Sequence, residues 1–193
     1  HHVWQMILAT IGLSLAWICG AVVAFRIGRY VSTPLLAWFG VYRYYSPMFF
    51  TQPFGRGRLE LHLGTTWDFF AQKNVTQQVL LTHLGMGVKG LIEAIKSGSI
   101  PLDTKLRGTM YFLSSPTLER LGFRVRQPLP LEYVAFVANY LEICLLLTLV
   151  RRRVSFIDIR RVRMIDATAL DLISHEHRIA PIIERLSSRT PVL

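Results

Sequence analysis

Residues Val3 to Phe25, VWQMILATIGLSLAWICGAVVAF, form 23 consecutive positions without a formal charge. At about 1.5 Å of rise per residue, a helix of that length crosses a hydrocarbon core of about 30 Å. A helix that is apolar on every side has no stable place in water, so the run commits the chain to a bilayer or to a deep core. Its flanks favour the bilayer: Trp4 near one end, and Arg26, Arg29 and Tyr30 just past the other, are interfacial anchor types. A cleaved signal peptide would show a basic n-region and an A-x-A-like site, and a lipoprotein site at Cys19 would not follow the bulky Ile18. Residues 1–30 therefore read as a transmembrane anchor. His1 and His2, with no initiator methionine before them, are given no chemical weight and read as tag residues or an internal start.

The rest of the composition agrees with a membrane setting. Hydrophobic residues make up 51% of the 193 and charged residues only 18%, with a mean hydropathy of +0.35. One domain of ordinary size fits this length, but a second does not. The net charge of +10 calls for an anionic neighbour: a phospholipid surface, nucleic acid, or acidic faces of partner subunits. Cys19 and Cys144 both lie in apolar runs, which suits buried thiols rather than a disulfide framework or a metal site.

A second apolar run, YVAFVANYLEICLLLTLVRRR at 133–153, also has membrane length. If it crossed, the segments before and after it would lie on opposite sides. Both are basic: Arg43, Lys73, Lys105 and Arg126 are among the cations before it, and Arg151, Arg152, Arg153, Arg160, Arg161 and Arg163 follow it. The positive-inside rule finds no outside loop in such a pattern. Asn139 and Glu142 stand near the middle of the run, and a carboxylate costs several kcal/mol at a bilayer centre unless it is protonated or paired. Residues 131–150 are accordingly expected as a helix buried in the domain or half-sunk at the membrane surface, in preference to a second span.

Residues 31–58 are dense in aromatic and basic side chains and carry Pro34, Pro47 and Pro53, which argue against one long helix. They read as a membrane-interface linker, with coverage of the domain's core as the alternative use of the aromatics. Residues 59–193 read as a small mixed α/β domain. RLELHLGTT alternates as a half-buried strand. NVTQQVLLTHLGMGVKGLIEAIKSG carries a helical stripe of Leu80, Leu84, Val88, Leu91 and Ile95, with Asn74 as its cap and Gly98 as its stop. RGTMYFL and FRVR read as strands on either side of a short helix, SPTLERLG, that starts at a proline and ends at a glycine. VSFIDIRRVRMI is expected as strand, and DATALDLISHEHRIAPIIERLSSR as a helix capped by Asp166 and broken or kinked at Pro181.

LELHLGTTWDFF, followed some 45 residues later by LRGTMYFLSSPTLERLGFRVRQPLP, resembles the pattern of YkoP-like domains over residues 55–185. The shared pieces are the strand Glu60 to Leu63, the strand start Gly108 to Met110, and Arg120 to Val125. This chain has GTT where that pattern places a second histidine followed by asparagine. The resemblance implies bacterial origin and envelope biology and assigns no catalytic residue.

Candidate chemistry is sparse. His175 and His177 flank Glu176, but two histidines at i and i+2 point to different sides of a helix and cannot chelate one metal there. An exposed polar turn is the plainer reading. His62 and Asp68 flank LGTTW and are the remaining acid/base candidates, with a polar cluster at a strand end as the alternative. His83, beside the apolar stripe of its helix, reads as a satisfied core histidine rather than a ligand. GMGVKG imitates a nucleotide loop but falls within a helix, where close helix packing explains small residues better. No metal or cofactor is expected.

Two functions remain. The preferred one is a membrane-anchored accessory or assembly subunit that docks on a membrane complex and on anionic phospholipid, with Arg151, Arg152, Arg153, Arg160, Arg161 and Arg163 as the lipid-binding set. The alternative is a membrane-bound enzyme acting on a lipid-linked or envelope substrate, which needs His62, Asp68, His175 and His177 to converge. Nucleic acid is not expected as a partner, because no RNP-like or OB-type pattern accompanies the aromatics. The expected location is a bacterial inner membrane, with the N-terminus outside and the domain in the cytoplasm.

Overall fold

The computed structural model describes residues 2–72 and 74–187, so His1, Lys73 and Leu193 lie outside the described residues. The fold is mixed α+β, with seven α-helices, one 3-10 turn and a six-stranded sheet among the described residues. The apolar N-terminal run forms α1 (His2–Trp38). Every position from 2 to 25 of α1 is exposed, and contact with the rest of the chain begins at Arg26.

Pro34 does not stop α1; the helix continues through it. A proline has no N–H to give the carbonyl four residues back, which here is Tyr30 O. That oxygen accepts instead from Trp67 Nε1 at 2.7 Å. The Tyr30 and Trp67 rings stack with centroids 4.5 Å apart. The residue expected as a membrane anchor therefore also fastens α1 to the domain.

The segment expected as a linker contributes two strands instead. β1 (Arg43–Tyr44) and β2 (Phe49–Pro53) pair antiparallel, and Tyr42, Met48, Phe49 and Phe50 are all buried. The aromatics thus serve mainly the core, with Trp38, Phe39 and Phe54 the exposed exceptions. β3 (Arg58–Leu63) pairs antiparallel with β2 and parallel with β4 (Lys105–Met110). A parallel pair needs a crossover, supplied by α2 (Thr66–Ala71) and α3 (Gln77–Lys96). After α4 (Ser115–Arg120) come β5 (Arg124–Arg126) and α5 (Pro130–Arg151), then β6 (Arg163–Thr168), α6 (Ala169–Ser174) and α7 (Glu176–Ser187). The strand order is β1-β2-β3-β4-β6-β5.

Several boundaries differ from expectation for local reasons. Thr76 caps α3, its hydroxyl accepting from Val79 N, whereas Asn74 takes a left-handed turn at φ 57°. Gly98 does stop that helix, at φ 79°. Asp166 is a strand residue, and Thr168 caps α6 in a reciprocal box with Asp171. The helical break falls at His175, with Pro181 inside α7. Residues 154–158 are not strand; they return along α5, and a 3-10 turn (Ile159–Arg161) precedes β6.

Alternation divides the sheet into two unlike faces. One carries Leu59, Leu61, Leu63, Leu106, Ile165 and Ala167 against Leu91, Ile92 and Ile95 of α3, Leu172 of α6 and Ile179 of α7. Gly87 of α3 lets the helix sit directly on Phe49, and Gly90 lies against Tyr45, so the glycines of GMGVKG serve close packing. The opposite face is polar. In register across five strands it presents Gln52, Glu60, Arg107, Asp166 and Arg124.

α5 covers part of that polar face but is not a core helix. Only Phe136, Cys144 and Val150 are buried on it. Leu131, Val134, Val137, Leu141, Leu145 and Leu149, spaced by three and four, make an exposed stripe 50–80% accessible. Of the two expected placements, burial in the domain is therefore excluded by this exposure. By length and composition both α1 and α5 are able to cross a membrane.

Candidate functional site

A cavity of about 350 Å³ lies between the polar sheet face, the last third of α1, and α5. Its sheet wall includes Glu60, His62, Arg107, Thr109 and Met164; α1 adds Arg26, Arg29, Tyr30 and Thr33; α5 adds Asn139, Glu142, Ile143 and Leu146. Leu80, Leu81 and Phe112 are among its further apolar lining.

Charge pairing holds the walls in place. Arg107 Nη2 meets Glu60 Oε2 at 3.1 Å, and its guanidinium lies 3.4 Å from the Phe54 ring centroid. Arg126 binds Glu132 through two hydrogen bonds of 2.7 and 2.8 Å and Asp166 through Nε at 2.8 Å, which fastens the start of α5 to β5 and β6. Arg26 bonds both Asn139 and Glu142, and Thr66 donates to Glu142. The two polar residues that argued against a second span thus meet a cation of α1. Arg29 lines the same cavity, and among the described residues no carboxylate pairs with it.

His62 stacks on Phe50 with centroids 5.1 Å apart. Its Nε2 is buried without a hydrogen bond, Glu60 Oε1 being 3.6 Å away, beyond hydrogen-bonding reach. Burial holds the imidazole below its usual pKa; Glu60 opposes that, while Arg29 and Arg107 reinforce it. The ring is therefore a neutral polar group bordering the cavity at pH 7.

The other histidine candidates do not join it. Asp68 sits in α2, where its carboxylate accepts from Thr65 N at 2.7 Å and from Tyr44 Oη at 2.8 Å. Burial, and then this bond to Asp68, push the Tyr44 phenol above its usual range. The rings of Tyr44 and Phe50 lie in sequence between Asp68 and His62. His175 closes α6 on the apolar side of the sheet, its Nδ1 2.8 Å from Asp171 O and its ring against Gly122. His177 is exposed at the start of α7, beside a Glu176 that pairs with Lys96 at 3.0 Å. The sheet separates both from His62, so the four residues form no common site. His83 is half-buried and its Nδ1 has no hydrogen-bond partner among the described residues, so it is not the satisfied core histidine expected; burial lowers its pKa.

The arginines form two groups, Arg151 to Arg153 at the end of α5 and Arg160, Arg161 and Arg163 after the chain has turned back along it. Arg151, Arg152, Arg153, Arg160 and Arg161 are exposed, whereas Arg163 is half-buried and donates to the carbonyls of Arg160 and Val162. Between the two arginine groups the chain runs back along α5, tied by Ser155 N to Thr148 Oγ1 at 3.0 Å and by Tyr140 Oη to Ile157 O at 2.9 Å. These ties turn Ser155 and Ile157 inward and leave Val154 and Phe156 outward, 76% and 71% exposed. Extended geometry predicts that alternation, but the sequence pattern alone did not say which residues face out. Trp4 is exposed at the far end of α1. No known protein family, curated protein or solved structure matches this chain.

Proposed function

We propose that this chain is a membrane-anchored accessory or assembly subunit whose domain lies against an anionic leaflet. In this reading α1 crosses the bilayer with its N-terminus outside, and the domain sits on the cytoplasmic face of a bacterial inner membrane. α5 lies half-sunk among the headgroups, and Arg151, Arg152, Arg153, Arg160 and Arg161 meet anionic phospholipid, with Arg163 the least available of the set.

The observation that carries the reading is one surface: the exposed apolar stripe of α5, continued by Val154 and Phe156 among five exposed arginines. Apolar side chains that enter the acyl boundary, ringed by cations that meet phosphate, are the makings of an interfacial helix. Each arginine near such a surface is worth about 1 kcal/mol. Arg126 ties Glu132 of α5 to β5, and Phe136, Tyr140, Cys144 and Leu147 pack with Tyr111, Ile157 and Val162, which favours a helix lying on the domain. A membrane complex is the further partner. The enzyme alternative lacks the convergence of histidines and aspartate that it required.

The test uses the full chain in nanodiscs with an environment-sensitive fluorophore at Phe156→Cys. In discs containing phosphatidylglycerol at low salt, the label is expected to shift to the blue and to be quenched by lipid-borne quenchers. Raising the ionic strength, or replacing Arg151, Arg152 and Arg153 by glutamine, should reverse both effects. A water-exposed spectrum in anionic discs at low salt would refute leaflet docking and assign the surface to a protein interface.

A further inference from the structure

The cavity under α5 joins two chemistries that rarely share a wall. On one side stand Arg29, whose guanidinium has no carboxylate partner among the described residues, and the buried, unpartnered Nε2 of His62. On the other stand Leu80, Ile143 and Leu146. Glu60 also borders the space, but Arg107 already neutralises it at 3.1 Å, and Glu142 is likewise paired with Arg26. Buried without a partner are His62 Nε2 and Arg107 Nε, while Arg29, exposed on α1, and Arg151 are bordering cations with no carboxylate partner among the described residues, next to an apolar border. Buried polar atoms left without partners cost free energy unless something completes them.

Location adds the second constraint. α1 leaves the domain at Arg26, directly after its uncharged run, so on the reading that α1 crosses the bilayer the cavity lies at headgroup depth. Its volume of about 350 Å³ is within the range of small-ligand sites and exceeds the needs of a single ion. We infer that this cavity holds one anionic, phosphate-headed amphiphile, its phosphate oxygens on Arg29 and the His62 ring N–H, and its apolar part along Leu80, Ile143 and Leu146. A guanidinium offers a phosphate two parallel donors, and a neutral imidazole offers one more without adding charge. The site adjoins the arginine surface through Arg151, which borders the cavity, but it encloses one molecule where the other exposed arginines meet the leaflet as a plane.

Native mass spectrometry of the full chain in mild detergent tests this, with phosphatidylglycerol, phosphatidylcholine and inorganic phosphate as separate probes. One phosphatidylglycerol per chain is expected to be retained, with phosphatidylcholine held at least tenfold more weakly. Arg29→Gln, on an exposed helix face, and Leu146→Trp, which fills the apolar side, should each weaken retention at least tenfold. Lys89→Gln, exposed on α3 and away from the cavity, should leave it unchanged. Displacement of the lipid by millimolar inorganic phosphate would show a plain anion site and overturn the amphiphile assignment. Equal retention of both lipids, equal retention in the two cavity variants, or no retained lipid would overturn it as well. Resistance of the same protein to carbonate extraction reads the insertion of α1 separately, so failure of the anchor is not confused with failure of the site.

Discussion

Gly87 offers the sharpest test of how the apolar side of the sheet is assembled, because two opposing effects meet at one atom. In an exposed helix, Gly→Ala gains about 1 kcal/mol of helix propensity. In this structure a β-carbon on Gly87 would overlap Cβ, Cγ and Cδ1 of Phe49, a side chain only 2% exposed. The Cβ of Phe49 is fixed to β2 and cannot rotate away, so α3 must lift from the sheet. Overpacking of this kind costs about 1–3 kcal/mol and more when backbone has to move. The net expectation is a loss of about 1–2 kcal/mol, or a fall in Tm of about 2–8 °C for a chain of this size. Gly90→Ala is the control: its β-carbon would sit 3.2 Å from Tyr45, a contact that a small shift relieves, so its Tm should move by less than half as much. Thermal melts of the three proteins in one detergent measure the difference. A Gly87→Ala protein at least as stable as the parent would refute direct contact of helix and sheet there, and would reopen a ligand-related reason for the glycine pattern.

Two further outcomes are expected. The folded pKa of His62 lies below the usual 6.5 through burial, so its protonation favours the unfolded chain. The associated stability is complete above pH 6.5 and is lost as pH falls through the folded value; Tm should drop between pH 7.5 and 5, and His62→Gln should flatten that slope, leaving the share due to His83. An unchanged slope in His62→Gln would place the effect elsewhere. For topology, single cysteines at Leu102 and Arg153, both exposed and lying on either side of α5, should react with an impermeant maleimide from the same face of the membrane. Labelling from opposite faces would mean that α5 spans.

Local chemistry made some elements legible in the residues themselves. A run of 23 uncharged residues suffices for α1, because backbone hydrogen bonding in an apolar medium leaves helix as the stable form. The stripe from Leu80 to Ile95 marks α3 through its period, and Gly98 marks its end through a backbone angle that β-carbons disfavour. Asn139 and Glu142 announced a need for a partner, because a polar group in an apolar run needs one; Arg26 is that partner, and the pairing lowers the cost on which the argument against a second span rested.

What depended on distant strands was not legible. Tyr42, Phe49 and Phe50 had the composition of an interface linker, and only pairing with β3 made them core. The uniformly apolar α5 showed no period that told its buried side from its exposed one; the sheet beneath it chose Phe136 and Cys144 and left Leu131, Leu141 and Leu145 outside. His62 and His175 were comparable as isolated letters, yet strand register sends one to the polar face while α6 holds the other beyond the apolar face. Arg29 entered the sequence as a flank of the anchor and became a cavity wall because Pro34 freed the Tyr30 carbonyl for Trp67, docking α1 on the domain. Such placements follow from contacts across more than 30 residues, where neither propensity nor periodicity carries information.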